Sequence, residues 1–222
     1  MILFTNGCSW TYGGGLGLDL PEDNEKRLKS VWPYFLAQKL KIDKVVNLAE
    51  GGGSNQRIFR TTLDWLHNTY DKKEEAIAVI QLTDPLRYEF YVTDKIDDFS
   101  NDPDKWALVK NDCLLNGPDD KEAYNDSQIR FKNYTLIEGM YSLIRDCSAL
   151  SFQFNQFKIK FYFWTYEIYP DVTSYKLLKT QDFNFLNFNN EWEYQRVSAS
   201  DFHPSFAGHI QLAQLIYDEI KP

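Results

Sequence analysis

Met1-Ile2-Leu3-Phe4-Thr5-Asn6-Gly7-Cys8-Ser9-Trp10-Thr11-Tyr12-Gly13-Gly14-Gly15-Leu16-Gly17 opens the chain, and its reading decides the fold. Met1 to Phe4 are the short apolar run of a buried strand. The run stops at a polar, glycine-rich turn with Ser9 at its apex. Ligands of an open α/β sheet bind outside the carboxyl ends of its strands. A serine just past a first strand is therefore placed for reaction. Two readings of the turn follow. Ser9 is a nucleophile whose base comes from the far end of the chain, or it is a turn serine that caps the next segment.

The segments that follow supply the rest of the sheet. Val31 to Leu40 reads as a helix, with Pro33 in the first turn where its missing N–H costs little. Val45 to Ala49 is a second short strand, broken by the turn Glu50-Gly51-Gly52-Gly53-Ser54-Asn55. A helix over 56–70, with Ser54 or Asn55 as its cap, carries one apolar face. Ala76 to Thr83 is a continuous run suited to a strand covered on both faces. Strand, helix, strand, helix, strand, with short connections and no clean alternation, predicts an α/β fold. The expectation is a three-layer α/β/α sandwich with a mainly parallel, flavodoxin-like sheet. A long helix over about 127–153, a fourth strand over 158–164 and a closing amphipathic helix to about Ile220 complete it. Residues 19–29 read as a surface loop. Residues 84–126 interrupt the pattern and read as an insertion within a single domain spanning 1–222. Whether 94–126 is a lid or a surface loop stays open. So does the aromatic, Asn-rich stretch 166–190, either walls of a cleft or a packed connection.

The chain has 222 residues, enough for one large domain and a substantial core. It carries 24 Lys+Arg against 32 Asp+Glu, a net charge of −8, and no dense basic patch. That balance repels a phosphate backbone and an anionic membrane surface, so neither nucleic acid nor membrane insertion is expected. Three cysteines, Cys8, Cys113 and Cys147, with no CxxC spacing give neither a disulfide framework nor a zinc site. They read as free thiols of a reducing compartment. With no signal peptide and no long apolar span, the expected location is cytoplasmic.

Histidine is scarce, with only His67, His203 and His209. His67, near a helix end, reads as a partner of the helix dipole. His203 lies two residues after Asp201 and directly before Pro204. A carboxylate that orients an imidazole, which in turn deprotonates a serine, is what a hydroxyl nucleophile needs at neutral pH. The same residues also read as a plain helix-entry loop. Gly13 to Gly17 offers backbone amides for a nucleotide, but it lacks the GxGxxG register and a Walker lysine.

Taken as an ordered set, Gly7-x-Ser9, Asn47-x-Ala49-x-x-Gly52 and Asp201-x-His203-Pro204-x-x-x-Gly208-His209 resemble the SGNH (GDSL-like) hydrolase superfamily. Cys8 stands where that family usually has Asp. The resemblance implies a serine-dependent ester hydrolase or acyltransferase that needs no metal or organic cofactor. Ser9 is then the nucleophile, His203 the base and Asp201 its orienting acid. The backbone N–H groups of Ser9 and Gly52 form the oxyanion hole. The implied partner is a small-molecule or glycan ester, such as an O-acetylated carbohydrate. Two departures stand out. One residue, not two, separates Asp201 from His203. The family's third block, Gly-x-Asn-Asp, reads Gln81-Leu82-Thr83-Asp84, so its oxyanion asparagine is missing. Asn55, Arg87 and Thr83 are the candidates to replace it or to contact substrate. Asn55 is otherwise a helix cap and Arg87 a member of an ion pair. Cys8 is the rival nucleophile and Asp84 the rival acid. The alternative to an enzyme is a carbohydrate-binding or structural protein on the same fold.

Overall fold

The computed structural model describes residues 1–18, 20–91, 106–110, 113–116, 135–166, 183–186, 188 and 195–221. In chain order the elements are β1 (Ile2–Asn6), α1 (Ser9–Tyr12), α2 (Asn24–Leu28), α3 (Trp32–Leu40), β2 (Lys44–Asn47), α4 (Asn55–Asp64), β3 (Ala76–Leu82), β4 (Tyr88–Tyr91), β5 (Trp106–Lys110), β6 (Cys113–Asn116), α5 (Leu136–Gln156), β7 (Lys160–Thr165) and α6 (Phe206–Ile220).

Among the described residues, β2, β1, β3 and β7 form a parallel sheet in that order. The order 2-1-3 is that of flavodoxin-like folds, as the sequence predicts. Side chains alternate across each strand. Ile2 and Phe4 of β1 therefore join Ile58 of α4 and Leu150 of α5, while Leu3 joins Leu36 of α3 and Leu212 of α6. Both faces are covered, which is why the strands read as unbroken apolar runs. Phe4 stacks on Trp65 with ring centroids 4.0 Å apart, and Trp32 meets Trp164 edge to face at 5.7 Å on the other side.

β1 runs two residues further than its apolar run. Asn6 is fully buried, and its Nδ2 donates to Ile58 O, Thr61 Oγ1 and Thr62 Oγ1 at 3.1, 2.8 and 3.0 Å. Its Oδ1 accepts the Gly7 N–H at 2.9 Å. A polar residue with that many partners ends a strand inside the core, where hydropathy alone reads a surface.

Of the expected loop over 19–29, the described residues 20–29 take a different form. Pro21–Asp23 is a 3₁₀ turn that runs into α2. The reason is Arg27, which is buried, lies 3.6 Å over the Tyr12 ring and donates to Tyr12 O at 2.8 Å. α5 opens on a capping box between Thr135 and Glu138. The residues 127–134 assigned to that helix lie outside the described residues. β4, β5 and β6 form an antiparallel sheet inside the expected insertion. The rest of 84–126 beyond these strands and the 84–91 stretch, and most of 166–190, are likewise outside the description, and with them the lid and cleft-wall readings. Cys8 and Cys147 are buried free thiols. His67 is exposed and rests edge-on against the Phe157 ring at 5.3 Å. No helix among the described residues is long and apolar enough to cross a membrane.

α6 and α3 pack together, joined at their exposed rim by Lys39 Nζ donating to Gln214 Oε1 at 2.6 Å and in the buried part of the interface by His209. His209 is fully buried, and its Nδ1 accepts the N–H of Trp32, the first residue of α3, at 3.3 Å. Burial, with a smaller push from His203, drives the His209 pKa down to about 3. The unfolded chain binds a proton there below about pH 6.5, while the folded chain does not until about pH 3. The stability is fully present above pH 6.5 and is lost as pH falls toward 3. At pH 5 the predicted loss is about 2 kcal/mol relative to neutral pH. Urea midpoints of wild type and His209→Asn between pH 7 and 5 check this. The variant's curve should be flatter by that amount, and identical slopes would show that His209 titrates normally.

Candidate active site

The turn after β1 is built by close contacts. A Cβ on Gly7 would lie 2.6 Å from Thr11 Oγ1 and 2.7 Å from Gln81, so only glycine passes there. Cys8 is the N-cap of α1 and Ser9 its first residue. Four residues do not make a stable helix alone. Here the Gly13 and Gly14 N–H groups donate to Ser9 O at 2.9 and 2.7 Å. Asn47 Nδ2 donates to Thr11 O at 3.0 Å, and Arg27 takes Tyr12 O. The carbonyls that a helix end leaves unpaired are thereby satisfied by side chains from β2 and α2. Ser9 is left half-buried at the carboxyl edge of the sheet, while Cys8 is fully buried.

The far end of the chain reaches the same place. Residues 195–204 fold back on themselves, with Val197 N donating to His203 O at 2.9 Å and Ser205 N to Gln195 O at 2.8 Å. Asp201 Oδ1 accepts the His203 backbone N–H at 3.0 Å and meets its ring Nδ1 at 2.6 Å. A carboxylate bonded to the N–H two residues on is an Asx-type turn. That turn explains why a single intervening residue is enough. The backbone N–H first, and the ring second, hold the Asp201 carboxyl below its usual range. His203 Nε2 lies 2.9 Å from Ser9 Oγ. With the ring proton on Nδ1 facing the carboxylate, the Nε2 lone pair faces the hydroxyl.

The glycine run is the platform on which these side chains lie. A Cβ on Gly14 would come within 3.0 Å of Ser9 Cβ and 3.2 Å of His203 Nε2. One on Gly15, at φ +80°, would come within 2.9 Å of His203 Cβ and 3.1 Å of Asp201 Oδ2. Two of the amides offered to a nucleotide are already committed to Ser9 O, so that reading is set aside.

The turn after β2 packs against the same peptide. Glu50 N donates to Gly7 O at 3.3 Å, and a Cβ on Gly53 would sit 3.2 Å from that oxygen. Gly52 has φ +76°, a left-handed conformation that glycine adopts readily. Among the described residues no acceptor takes the N–H of Ser9 or of Gly52.

Asn55 and Thr83 are joined to each other. Asn55 Nδ2 donates to Thr83 O at 2.8 Å, and Thr83 N donates to Asn55 Oδ1 at 2.9 Å. Ser54, not Asn55, caps α4, accepting Arg57 N at 3.1 Å. The Thr83 hydroxyl is sealed from solvent, so the substrate contact expected of Thr83 is not open to it in this conformation. Asp84 is buried and its Oδ1 accepts Leu86 N at 2.8 Å, a turn-forming contact, while the carboxylate that meets His203 Nδ1 is that of Asp201. Arg87 is half-buried in the connection to β4, with its N–H on Asp84 O at 3.0 Å. The sequence shows Gly14 and Gly15 only as amides of a glycine run, and it does not show their role as a platform or the Asn47–Thr11 bridge. The run of glycines directly after Ser9 was the available signal for the first two.

A hydroxyl, an imidazole and a carboxylate in line form an arrangement that can carry out acyl transfer. Among the described residues no three His, Cys, Asp or Glu converge as metal ligands. In sequence, residues 18–112 match the model of a family of unknown function (DUF6071), and no curated protein matches the chain. In structure, the chain is similar to a protein assigned to the lipolytic G-D-S-L family from Desulfitobacterium hafniense DCB-2, at 12% identity and a TM-score of 0.54, with 99% of each chain covered. It is also similar to a member of the lipolytic protein G-D-S-L family from Veillonella parvula DSM 2008, at 11% identity and a TM-score of 0.50, covering 100% of this chain and 98% of that one. The chain has the fold of G-D-S-L lipolytic proteins.

Gly15→Ala tests the platform. Its added methyl strains a left-handed residue and presses on His203, which should cost about 1–3 kcal/mol. Proton NMR should show a far-downfield His203 Nδ1–H signal in wild type that weakens or moves in the variant. An unchanged signal would show that the glycine does not support the Asp201–His203 pair.

Proposed function

We propose that the chain is a serine-dependent ester hydrolase or acyltransferase acting on small acyl esters, with O-acetylated carbohydrate as the substrate class. The observation that carries this reading is the line of contacts from Asp201 through His203 to Ser9, at 2.6 and 2.9 Å. Ser9 Oγ attacks the ester carbonyl while His203 Nε2 takes its proton. Asp201 stabilises the resulting imidazolium. The N–H groups of Ser9 and Gly52 receive the oxyanion, with the second amide hydrogen of Asn55 as a third donor. The intermediate collapses, His203 returns the proton to the leaving alcohol, and water or a second alcohol then releases the acyl group by the same steps. Cys8 is buried as the cap of α1, which favours Ser9 as the nucleophile. Tyr166 is half-buried and stacks on Trp10, the next residue after Ser9, with centroids 4.1 Å apart, and an aromatic ring there would suit a sugar ring. The shared fold agrees with this chemistry without assigning it.

The second reading, a binding protein on the same fold, draws on Thr83 standing where the asparagine is missing. Loss of one oxyanion donor typically lowers turnover roughly 10²–10³-fold. Hydrolysis of p-nitrophenyl acetate separates the two readings. Wild type should turn over above the buffer rate, Ser9→Ala should fall to that rate, and Asp201→Asn should lose roughly 10³–10⁴-fold. Folded wild type indistinguishable from Ser9→Ala would sink the enzyme and leave the binding protein.

A further inference from the structure

We propose that His209, Trp32, Thr11 and Gln81 form a second line of hydrogen bonds that sets the distance between Ser9 and His203, with His209 as its positioning residue. The inference rests on the reading of Ser9 and His203 as nucleophile and base. His209 lies six positions after His203, in the helix that the base segment enters. Its Nδ1 accepts the Trp32 N–H at 3.3 Å, one of the amide hydrogens that the start of α3 leaves unpaired. The same tryptophan's Nε1–H donates to Thr11 Oγ1 at 3.2 Å. Thr11 in turn donates to Gln81 Oε1 at 2.6 Å. Thr11 sits two residues after Ser9 on α1, and Gln81 is on β3 beneath Gly7. The line therefore runs from the helix behind the base, through α3, to the helix that carries the nucleophile, and ends on the sheet.

All four residues are fully buried. The polarity of the line is fixed by chemistry. An indole N–H only donates, so Thr11 accepts from Trp32 and must give its own proton to Gln81. A backbone N–H likewise only donates, so His209 must keep the Nδ1 lone pair and carry its proton on Nε2. Burial keeps that ring neutral, with a pKa of about 3. Gln81 occupies the position where the family pattern has glycine. Its side chain fills the space under the Ser9 turn and supplies the acceptor at which the line ends. Reaction geometry is sensitive on this scale, since a displacement of about 1 Å can cost roughly 100-fold in rate.

The test compares wild type with His209→Phe, Thr11→Val and His209→Asn. Phe keeps the bulk and lacks the acceptor, Val keeps the shape of Thr11 without its hydroxyl, and Asn places an oxygen near the former Nδ1. The readouts are the rate of labelling by a fluorophosphonate probe and kcat and KM on p-nitrophenyl acetate, well below each variant's melting temperature. His209→Phe and Thr11→Val should lose about 10- to 100-fold in labelling rate and in kcat, with KM within about twofold. His209→Asn should stay within about threefold of wild type. If His209→Phe does not fold, Thr11→Val decides. A folded Thr11→Val or His209→Phe that labels at the wild-type rate overturns the proposal while leaving the serine hydrolase intact. Wild type that fails to label overturns both.

Discussion

Ser9 and His203 stand 194 positions apart in the chain and meet at 2.9 Å. A hydroxyl is a poor nucleophile without such a base, so the proposed chemistry depends on that contact. No local feature of either segment could hold it, because both segments are short and irregular. The parallel sheet supplies the frame. β1 delivers Ser9 to its carboxyl edge, and α6, packed on α3, fixes where the preceding His203 loop ends. Asn6 ties the end of β1 to α4, and Asn47 ties α1 to the end of β2. The short helix of Ser9 is thus anchored to the sheet, whose strand β1 is itself tied to α4.

The site is assembled from small residues and buried polar ones, and each is costly to change for a different reason. Gly7, Gly14 and Gly15 are required by contact, since a methyl at each would meet a neighbouring atom at 3.0 Å or less. Asn6, Thr11, Gln81 and His209 are required by hydrogen bonding, because an unpaired buried polar group costs about 1–3 kcal/mol. Apolar substitutes could fill the same volume without fixing orientation. The polar residues beneath the Ser9 turn give it directional support that close packing alone would not.

Much of the fold was legible in the sequence. Runs such as Ala76 to Leu82 and the spacing of Leu143, Cys147 and Leu150 carry the period of their element, so strands and helices could be placed. Strand ends were less legible. Thr5 and Asn6 look like surface residues until their partners on β2 and α4 are known. The α2 region misled for the same reason, since Arg27 is buried by a contact to Tyr12 that composition does not reveal. At the candidate site, Ser9, Asp201 and His203 could be picked out because histidine is rare and the motifs keep their order. The supporting side chains could not. Gln81, Thr11 and Trp32 belong to three different elements, and nothing local to any of them signals the other two. The pairing of Asn55 with Thr83 is equally hidden in the sequence, where each stands as a separate candidate.

The proposed chemistry turns on which atom of the opening turn reacts. Peptide mapping by mass spectrometry after reaction with a fluorophosphonate probe reads this directly. The prediction is a single phosphonyl adduct on Ser9, absent when the protein is unfolded before the probe is added. An adduct on Cys8 or on another residue, or none on folded protein, would contradict it.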